Sequence, residues 1–282
     1  MSRRSKPRRT QSKPTPTNPP TPATDLRESI LADFAALKIP LTAEQFDAVL
    51  AGAAREGLSH QEFLHRLIGE QAAQRRERSI AYRIREAGFD ERKPLSEFDW
   101  EFNRQAIDRV QIEELATGAF IDRRDNLVLV GQSGVGKSFL IQAIAEAACV
   151  RGHSVRYTTS AELLTDLTAS LADQTLPQRV RYYARFDLLV IDEFGFDRIE
   201  RTASPQAANL LYRIIDARSR QRSTALVTNI DFEAWADYLG DPPLAMAFLD
   251  RVVDGAIVLK IQGKSYRAHR ATSPKPAPQT KR

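Results

Sequence analysis

The residues most able to do chemistry are Gly131-Gln-Ser-Gly-Val-Gly-Lys137-Ser138, a full G-x-x-x-x-G-K-[ST] pattern. Its glycines let the backbone curl so that successive N–H groups point inward, where they can cradle phosphate oxygens. Lys137 is spaced to reach the β- and γ-phosphates of a nucleotide, and the Ser138 hydroxyl to ligate Mg²⁺. The helix expected from Phe139 to Val150 would set its positive N-terminal end under the same phosphates. The nucleotide-contacting set is therefore Gly131, Gln132, Ser133, Gly134, Val135, Gly136, Lys137, Ser138 and Phe139. A chance glycine-rich turn would explain neither the apolar strand directly before the loop, Leu127 to Val130, nor the amphipathic helix directly after it.

A second group follows. Asp187-Leu-Leu-Val-Ile-Asp192-Glu193 is an apolar run closed by two acids, with Asp192 lying 61 residues after Gly131. Ligands of open α/β sheets bind beyond the carboxyl ends of the strands, so this strand end and the loop should converge. Asp192 would hold Mg²⁺ directly or through water, and Glu193 would polarise the attacking water as general base. Asn229 ends the next strand and could orient that water, although Asn-Ile-Asp is also turn-like. Arg251, in Phe248-Leu-Asp-Arg-Val-Val, could be an arginine finger supplied in trans to a neighbour's γ-phosphate. A surface ion pair with Asp250 or Asp254 competes with that role, and Arg213, Arg218, Arg220 and Arg222 are alternative fingers.

The elements that must position these residues are read from periodicity. Residues 1–24 are rich in Pro, Thr, Ser, Lys and Arg and should be disordered. Leu26, Ile30, Leu31, Phe34 and Leu37 recur at helical spacing until Pro40. Thr42 with Gln45, and Ser59 with Glu62, are capping boxes opening two further helices. The inner faces of these helices would carry Phe46, Val49, Leu50, and then Phe63, Leu64, Leu67, Ile68. The third helix runs on to Arg85, and Gly88 and Pro94 close a helical domain over residues 25–93. Leu95, Phe98, Trp100 and Phe102 form an aromatic cluster that should pack, before a short helix from Arg104 to Thr117. Further strands are expected at Ser154–Thr159, Thr224–Asn229 and Ala256–Ile261. Ser160, Pro205, Asp231 and Pro243 would start the intervening helices. Strands alternating with helices imply a parallel sheet covered on both faces.

Composition narrows the partner. The net charge is +5, yet residues 1–24 hold six Lys/Arg and no acid, and residues 260–282 hold seven and no acid, leaving the body at −8. A mildly acidic body with two basic ends suggests a polyanion, nucleic acid first. The arginines late in the third helix, Arg75, Arg76, Arg78, Arg83 and Arg85, could track phosphates or be a solvated face. Lys264 and Arg267 are further candidate DNA contacts. The single cysteine, Cys149, forms no internal disulfide and is expected as a small core residue. His60, His65, His153 and His269 lack metal-ligand spacing. No apolar run is long enough to span a membrane, and no apolar segment follows Arg3-Arg4, so neither a membrane span nor a signal peptide is expected and a cytoplasmic location is.

The sequence resembles the IstB insertion-sequence helper ATPases, in the AAA+ branch that also contains the DnaC helicase loaders, from about Leu26 to His269. The resemblance rests on GQSGVGKS at 131–138, LLVIDEFGF at 188–196, ANLLYRIIDAR at 208–218, STALVTNIDFEAW at 223–235 and AFLDRVVDGAIVLKIQGKSYR at 247–267. It departs from the usual pattern at the loop Asp197 to Ser204 and in the long basic N-terminal tail. It implies Walker A, Walker B and sensor-1 roles for Lys137/Ser138, Asp192/Glu193 and Asn229, and favours Arg251 as finger. It implies an α/β AAA+ P-loop core with a five-stranded parallel sheet, preceded by a small all-α domain and without a C-terminal lid. The expected organisation is a basic tail 1–24, a helical domain 25–93, an ATPase domain 94–269 and a disordered basic tail 270–282. The implied function is Mg²⁺-dependent ATP hydrolysis by a homo-oligomer with ATP at subunit interfaces, assembling on duplex DNA to assist a transposase of the IstA type. A DnaC-like helicase loader, which would want stacking aromatics such as Tyr182, Tyr183 and Phe186 along a basic groove, is the alternative.

Overall fold

A computed structural model describes residues 23–196 and 206–272 of the 282-residue chain. Most of the basic N-terminal tail, the loop Asp197 to Ser204 with the expected helix start at Pro205, and residues 273–282 lie outside the described residues. The chain forms two compact units, one ending at Arg76 and the other beginning at Glu77.

The first unit is helical. Helix α1 spans Ala23–Ala36, α2 spans Ala43–Glu56, and α3, His60–Ala87, begins here and crosses the boundary. Both capping boxes form. Thr42 Oγ1 accepts the Gln45 N–H at 3.2 Å while Gln45 Oε1 accepts the Thr42 N–H at 3.1 Å. Glu62 accepts the Ser59 N–H at 2.8 Å, and Ser59 Oγ accepts the Glu62 N–H at 3.3 Å. Arg27 pairs with Asp47 at 2.6 Å and Arg66 with Glu56 at 2.8 Å, tying α1 to α2 and α2 to α3. Phe46 and Leu67 are buried, but Leu50, Leu64 and Ile68, expected inside, stand 48%, 51% and 50% exposed. A unit of on the order of 50 residues has too little volume to enclose every apolar stripe of its helices.

The second unit is a five-stranded parallel sheet in the order β2-β3-β4-β1-β5, with β1 Leu127–Gly131, β2 Val155–Thr159, β3 Leu188–Phe194, β4 Ser223–Thr228 and β5 Ile257–Ile261. Successive side chains leave opposite faces of a strand. Leu127, Leu129, Val190 and Val227 therefore face one core, with Leu140, Ile141 and Ile144 of α6 (Lys137–Arg151). Val128, Val130, Ile191 and Leu226 face the other, with Leu163, Leu211 and Phe248. Those last three residues lie on α7 (Ser160–Ala172), α9 (Ala207–Arg218) and α11 (Pro242–Val253). Both faces are covered, as continuous apolar strands require. The remaining helices are α4 (Arg109–Leu115), α5 (Ala119–Arg123), α8 (Leu176–Ala184), α10 (Trp235–Leu239) and α12 (Tyr266–Thr272).

Several boundaries differ from expectation. The second unit starts before Pro94, because Ile84, Ala87 and Phe89 pack into its core. Helix α4 starts at Arg109 rather than Arg104, where Asp108 accepts the Val110 N–H at 2.9 Å. Thr159, not Ser160, caps α7, in a box with Glu162. Asp231 precedes a 3₁₀ turn, Phe232–Ala234, without capping it through its side chain, and Asp241 caps α11. Residues 270–272, expected disordered, continue α12.

Candidate active site

Strand β1 delivers Gly131 at the carboxyl edge of the sheet, and α6 begins at Lys137. Between them Gly134 and Gly136 take left-handed conformations, φ +86° and +105°, which curl the loop and which side chains rarely adopt. A Cβ on Gly134 would also collide with Ser265 Oγ. The Lys137 ammonium donates to Gly131 O at 2.7 Å and Gln132 O at 2.9 Å, over the first turn of the loop. Burial lowers its pKa, Asp192 opposes that shift, and the positive charge of Arg267 adds to it. Ser138 follows, half-buried, in the first turn of α6.

Strand β3 brings Asp192 to the same edge, where it is 2% exposed. Its Oδ1 accepts the Glu193 N–H at 2.7 Å and its Oδ2 accepts the Tyr157 hydroxyl at 2.6 Å. Gln142 Nε2 in turn donates to the Tyr157 oxygen at 2.9 Å. Burial first, then the adjacent Asp192 charge, push the Tyr157 phenol above the ordinary tyrosine range, so it stays a donor. Glu193 is exposed and left-handed, φ +59°, and the β3–β4 register shifts between Ile191 and Phe194. Such an irregularity re-aims the side chains at a strand end. Asn229 lies just past β4 and lines, with Gly131 and Gln132, a cavity of about 790 Å³. The residues singled out at the ends of β1, β3 and β4 therefore share one edge of the sheet.

Two features were missed by pattern reading. Asn103, 9% exposed, donates to Lys264 O at 3.0 Å and to Val135 O at 3.5 Å, and accepts the Lys264 N–H at 3.0 Å. It clamps the nucleotide loop to the segment after β5. That segment also gives the Tyr266 N–H to Gly134 O at 2.9 Å. The GKSYR stretch is thus built against the loop. Phe102 does not join the aromatic cluster but packs on Tyr266 and His269, at 5.0 and 4.9 Å between rings. Phe98 and Trp100 do meet, at 4.9 Å, and Phe98 also packs on Phe139. The other omission is Tyr157, whose alternation with Val155 reads only as an inward-facing strand residue.

The arginines sort by environment. Asn126, just before β1, donates to Arg251 O and Val252 O at 3.1 Å each, which fixes the Arg251 backbone at the edge opposite the nucleotide loop. Five strand residues separate the two edges, about 16 Å. The Arg251 guanidinium meets Asp216 at 3.3 Å and Asp250 at 2.8 Å; the expected alternative partner Asp254 instead faces Arg220 at 3.8 Å. Arg218 is no finger: it is 1% exposed and donates to Tyr183 O, Phe186 O, Ser223 O and Thr224 Oγ1. Arg222 pairs with Asp187, and Arg213 is exposed on α9. Of the α3 arginines, Arg75, Arg76, Arg78 and Arg85 are exposed, whereas Arg83 is half-buried and donates to Cys149 O at 2.8 Å. Lys264 and Arg267 are exposed. Tyr183 and Phe186, considered as stacking residues, are 3% and 4% exposed and belong to the core. Cys149 is fully buried, and burial raises its thiol to about 12, so it is inert packing. No described helix is long and apolar enough to cross a membrane.

The donors fit Mg²⁺: one hydroxyl and one buried carboxylate are hard oxygen ligands, few enough to leave places for phosphate oxygens and water. Residues 32–273 match the profile of a family described as IstB-like ATP binding protein. The chain is 35% identical over 231 residues to an ATP-binding protein of insertion sequence IS232 from Bacillus thuringiensis subsp. berliner, covering 82% of this chain and 90% of that one. It is 31% identical to the IS21 ATP-binding protein of Pseudomonas aeruginosa, covering 82% and 85%. Among solved structures, DnaI superposes with a TM-score of 0.50 at 25% identity, over 60% of this chain and 91% of that chain. With an AAA+ P-loop fold and insertion-sequence relatives matched along most of their length, the chain belongs to the IstB-like ATP-binding protein family.

Proposed function

We propose that the protein is a Mg²⁺-dependent ATPase that assembles as a homo-oligomer on duplex DNA, mostly through phosphates, and assists an IstA-type transposase in insertion-sequence transposition. The observation that carries this reading is the split of the machinery between two edges of one sheet. The nucleotide loop, Asp192, Glu193 and Asn229 gather at one edge, and Arg251 sits at the other. A finger so far from its own loop can serve only a neighbour's nucleotide.

In this reading the backbone N–H groups of 131–139 and the Lys137 ammonium bind the triphosphate. Ser138 and Asp192 would hold Mg²⁺, which would supply charge neutralisation at the phosphates. Glu193 accepts the proton of the attacking water, and Asn229 orients that water. Arg251 of the adjacent subunit offsets the charge developing on the γ-phosphate. Residues 25–93 would contribute to self-assembly, for which the exposed Leu50, Leu64 and Ile68 offer apolar surface, and to DNA grip through Arg75, Arg76, Arg78 and Arg85. Lys264 and Arg267, exposed on the second unit, would be further phosphate contacts. The helicase-loader alternative loses two of its stacking candidates to the core.

A mixing experiment tests the interfacial site. Lys137→Ala and Arg251→Ala should each abolish most DNA-stimulated ATP turnover alone, and mixing them should restore a measurable fraction, because some interfaces then hold an intact loop and an intact finger. No recovery from two variants that still co-assemble would contradict the arrangement.

A further inference from the structure

Asp192 is held from behind by a short relay. The carboxylate sits at the end of β3; Tyr157, on the neighbouring β2, donates its hydroxyl hydrogen to Oδ2 at 2.6 Å; and Gln142, on α6, donates Nε2–H to the phenolic oxygen at 2.9 Å. All three side chains are buried, at 2%, 6% and 4% exposure. An ionised carboxylate only accepts, so the tyrosine must donate to it. The Gln142 amide fills the phenol's acceptor site from the other side and so turns the O–H toward Asp192. The far end of that amide, Gln142 Oε1, is buried with no hydrogen-bond partner among the described residues. A buried acceptor without a partner is costly, so the relay is maintained against a local penalty.

The torsion that rotates a carboxylate about its own axis is soft. With Oδ1 on the Glu193 N–H and Oδ2 on Tyr157, both oxygens of Asp192 are pinned, and the rotation is fixed. Each oxygen keeps further lone-pair capacity for a metal or a metal-bound water. We propose that Tyr157 is a positioning residue: through its hydroxyl it fixes the Asp192 carboxylate in the orientation that receives Mg²⁺, and so sets the affinity of the nucleotide complex for that ion without touching nucleotide itself. This rests on the ATPase reading above. Partners behind metal ligands commonly change metal affinity by about 10–100-fold when removed.

The test is Tyr157→Phe in the full chain, which removes one oxygen and keeps the ring. Binding of a fluorescent ATP analogue is measured first in EDTA and then across a Mg²⁺ titration, with thermal melting recorded without metal. The expected result is unchanged analogue affinity in EDTA and a Mg²⁺ midpoint raised about tenfold. Gln142→Leu should shift the midpoint the same way by a smaller factor. A Mg²⁺ midpoint equal to wild type in Tyr157→Phe overturns the proposal and leaves the ATPase reading intact. Loss of analogue affinity in EDTA would make Tyr157 a general structural support and also overturns it. Failure of the wild type to bind the analogue at all would overturn the ATPase reading, and this inference with it.

Discussion

Glu193 sits at the end of β3 with φ +59°, a region that costs a residue with a side chain roughly 1–2 kcal/mol. If that strain is retained for catalysis, activity and stability should separate at this position. Glu193→Gln should lower ATP turnover by about 10²–10⁴-fold while nucleotide binding persists; unchanged turnover would favour a scaffold that uses ATP only as a switch. Glu193→Gly should be equally inactive but melt higher than Glu193→Ala, because glycine alone relieves the backbone; identical melting would deny the strain. Lys137 gives a pH prediction. It must be charged to hold phosphate, its pKa in the free protein lies below 10.5, and a bound triphosphate would raise it. Binding therefore takes up a proton in the window between the two values, and ATP affinity should start to fall with rising pH before 10.5, as direct titration would show. An affinity flat through that range would mean that Lys137 does not carry the contact. These residues were legible because glycine spacing and a strand ending in two acids specify backbone and charge together. Tyr157 and Asn103 were not, since each acts through a partner distant in sequence: Asp192 for one, Lys264 for the other.

At the scale of elements, the nucleotide loop is held between β1, α6 and the segment after β5. Asn103 fastens that arrangement, and Asn103→Ala should lower stability by about 1–3 kcal/mol by leaving the Lys264 backbone groups unpaired. It should weaken ATP binding in parallel, whereas Thr159→Ala, which removes the α7 cap, should cost about 1 kcal/mol and leave ATP affinity alone. Melting curves with and without ATP separate the two. Strands β1, β3 and β4 read clearly from their apolar runs because both faces are buried. The 95–108 stretch read poorly. Its aromatics signal packing but not with what, and Phe102 turned to the helix after β5 rather than to its sequence neighbours. The first unit shows the same limit: periodicity identified its helices, but burial depends on how much chain surrounds them, and Leu64 and Ile68 remain half exposed.

At the scale of the molecule, the proposed function needs an ATP site completed by a neighbour and exposed arginines that contact DNA phosphates. Affinity for duplex should fall with salt by a slope of about 0.9 per phosphate contacted, and Arg75→Ala should reduce that slope by about one without changing sequence preference. Binding that stays constant as salt rises several-fold would contradict phosphate tracking. The parallel sheet with both faces covered and the site edge followed from strand–helix alternation, but the boundary between units did not, because α3 continues through it without a break. The most direct measurement is sedimentation of the full chain on duplex and single-stranded DNA, with and without ATP, beside Lys137→Ala. The expected result is large complexes on duplex that require ATP and vanish in the variant. A preference for single strands, or small species under every condition, would contradict it.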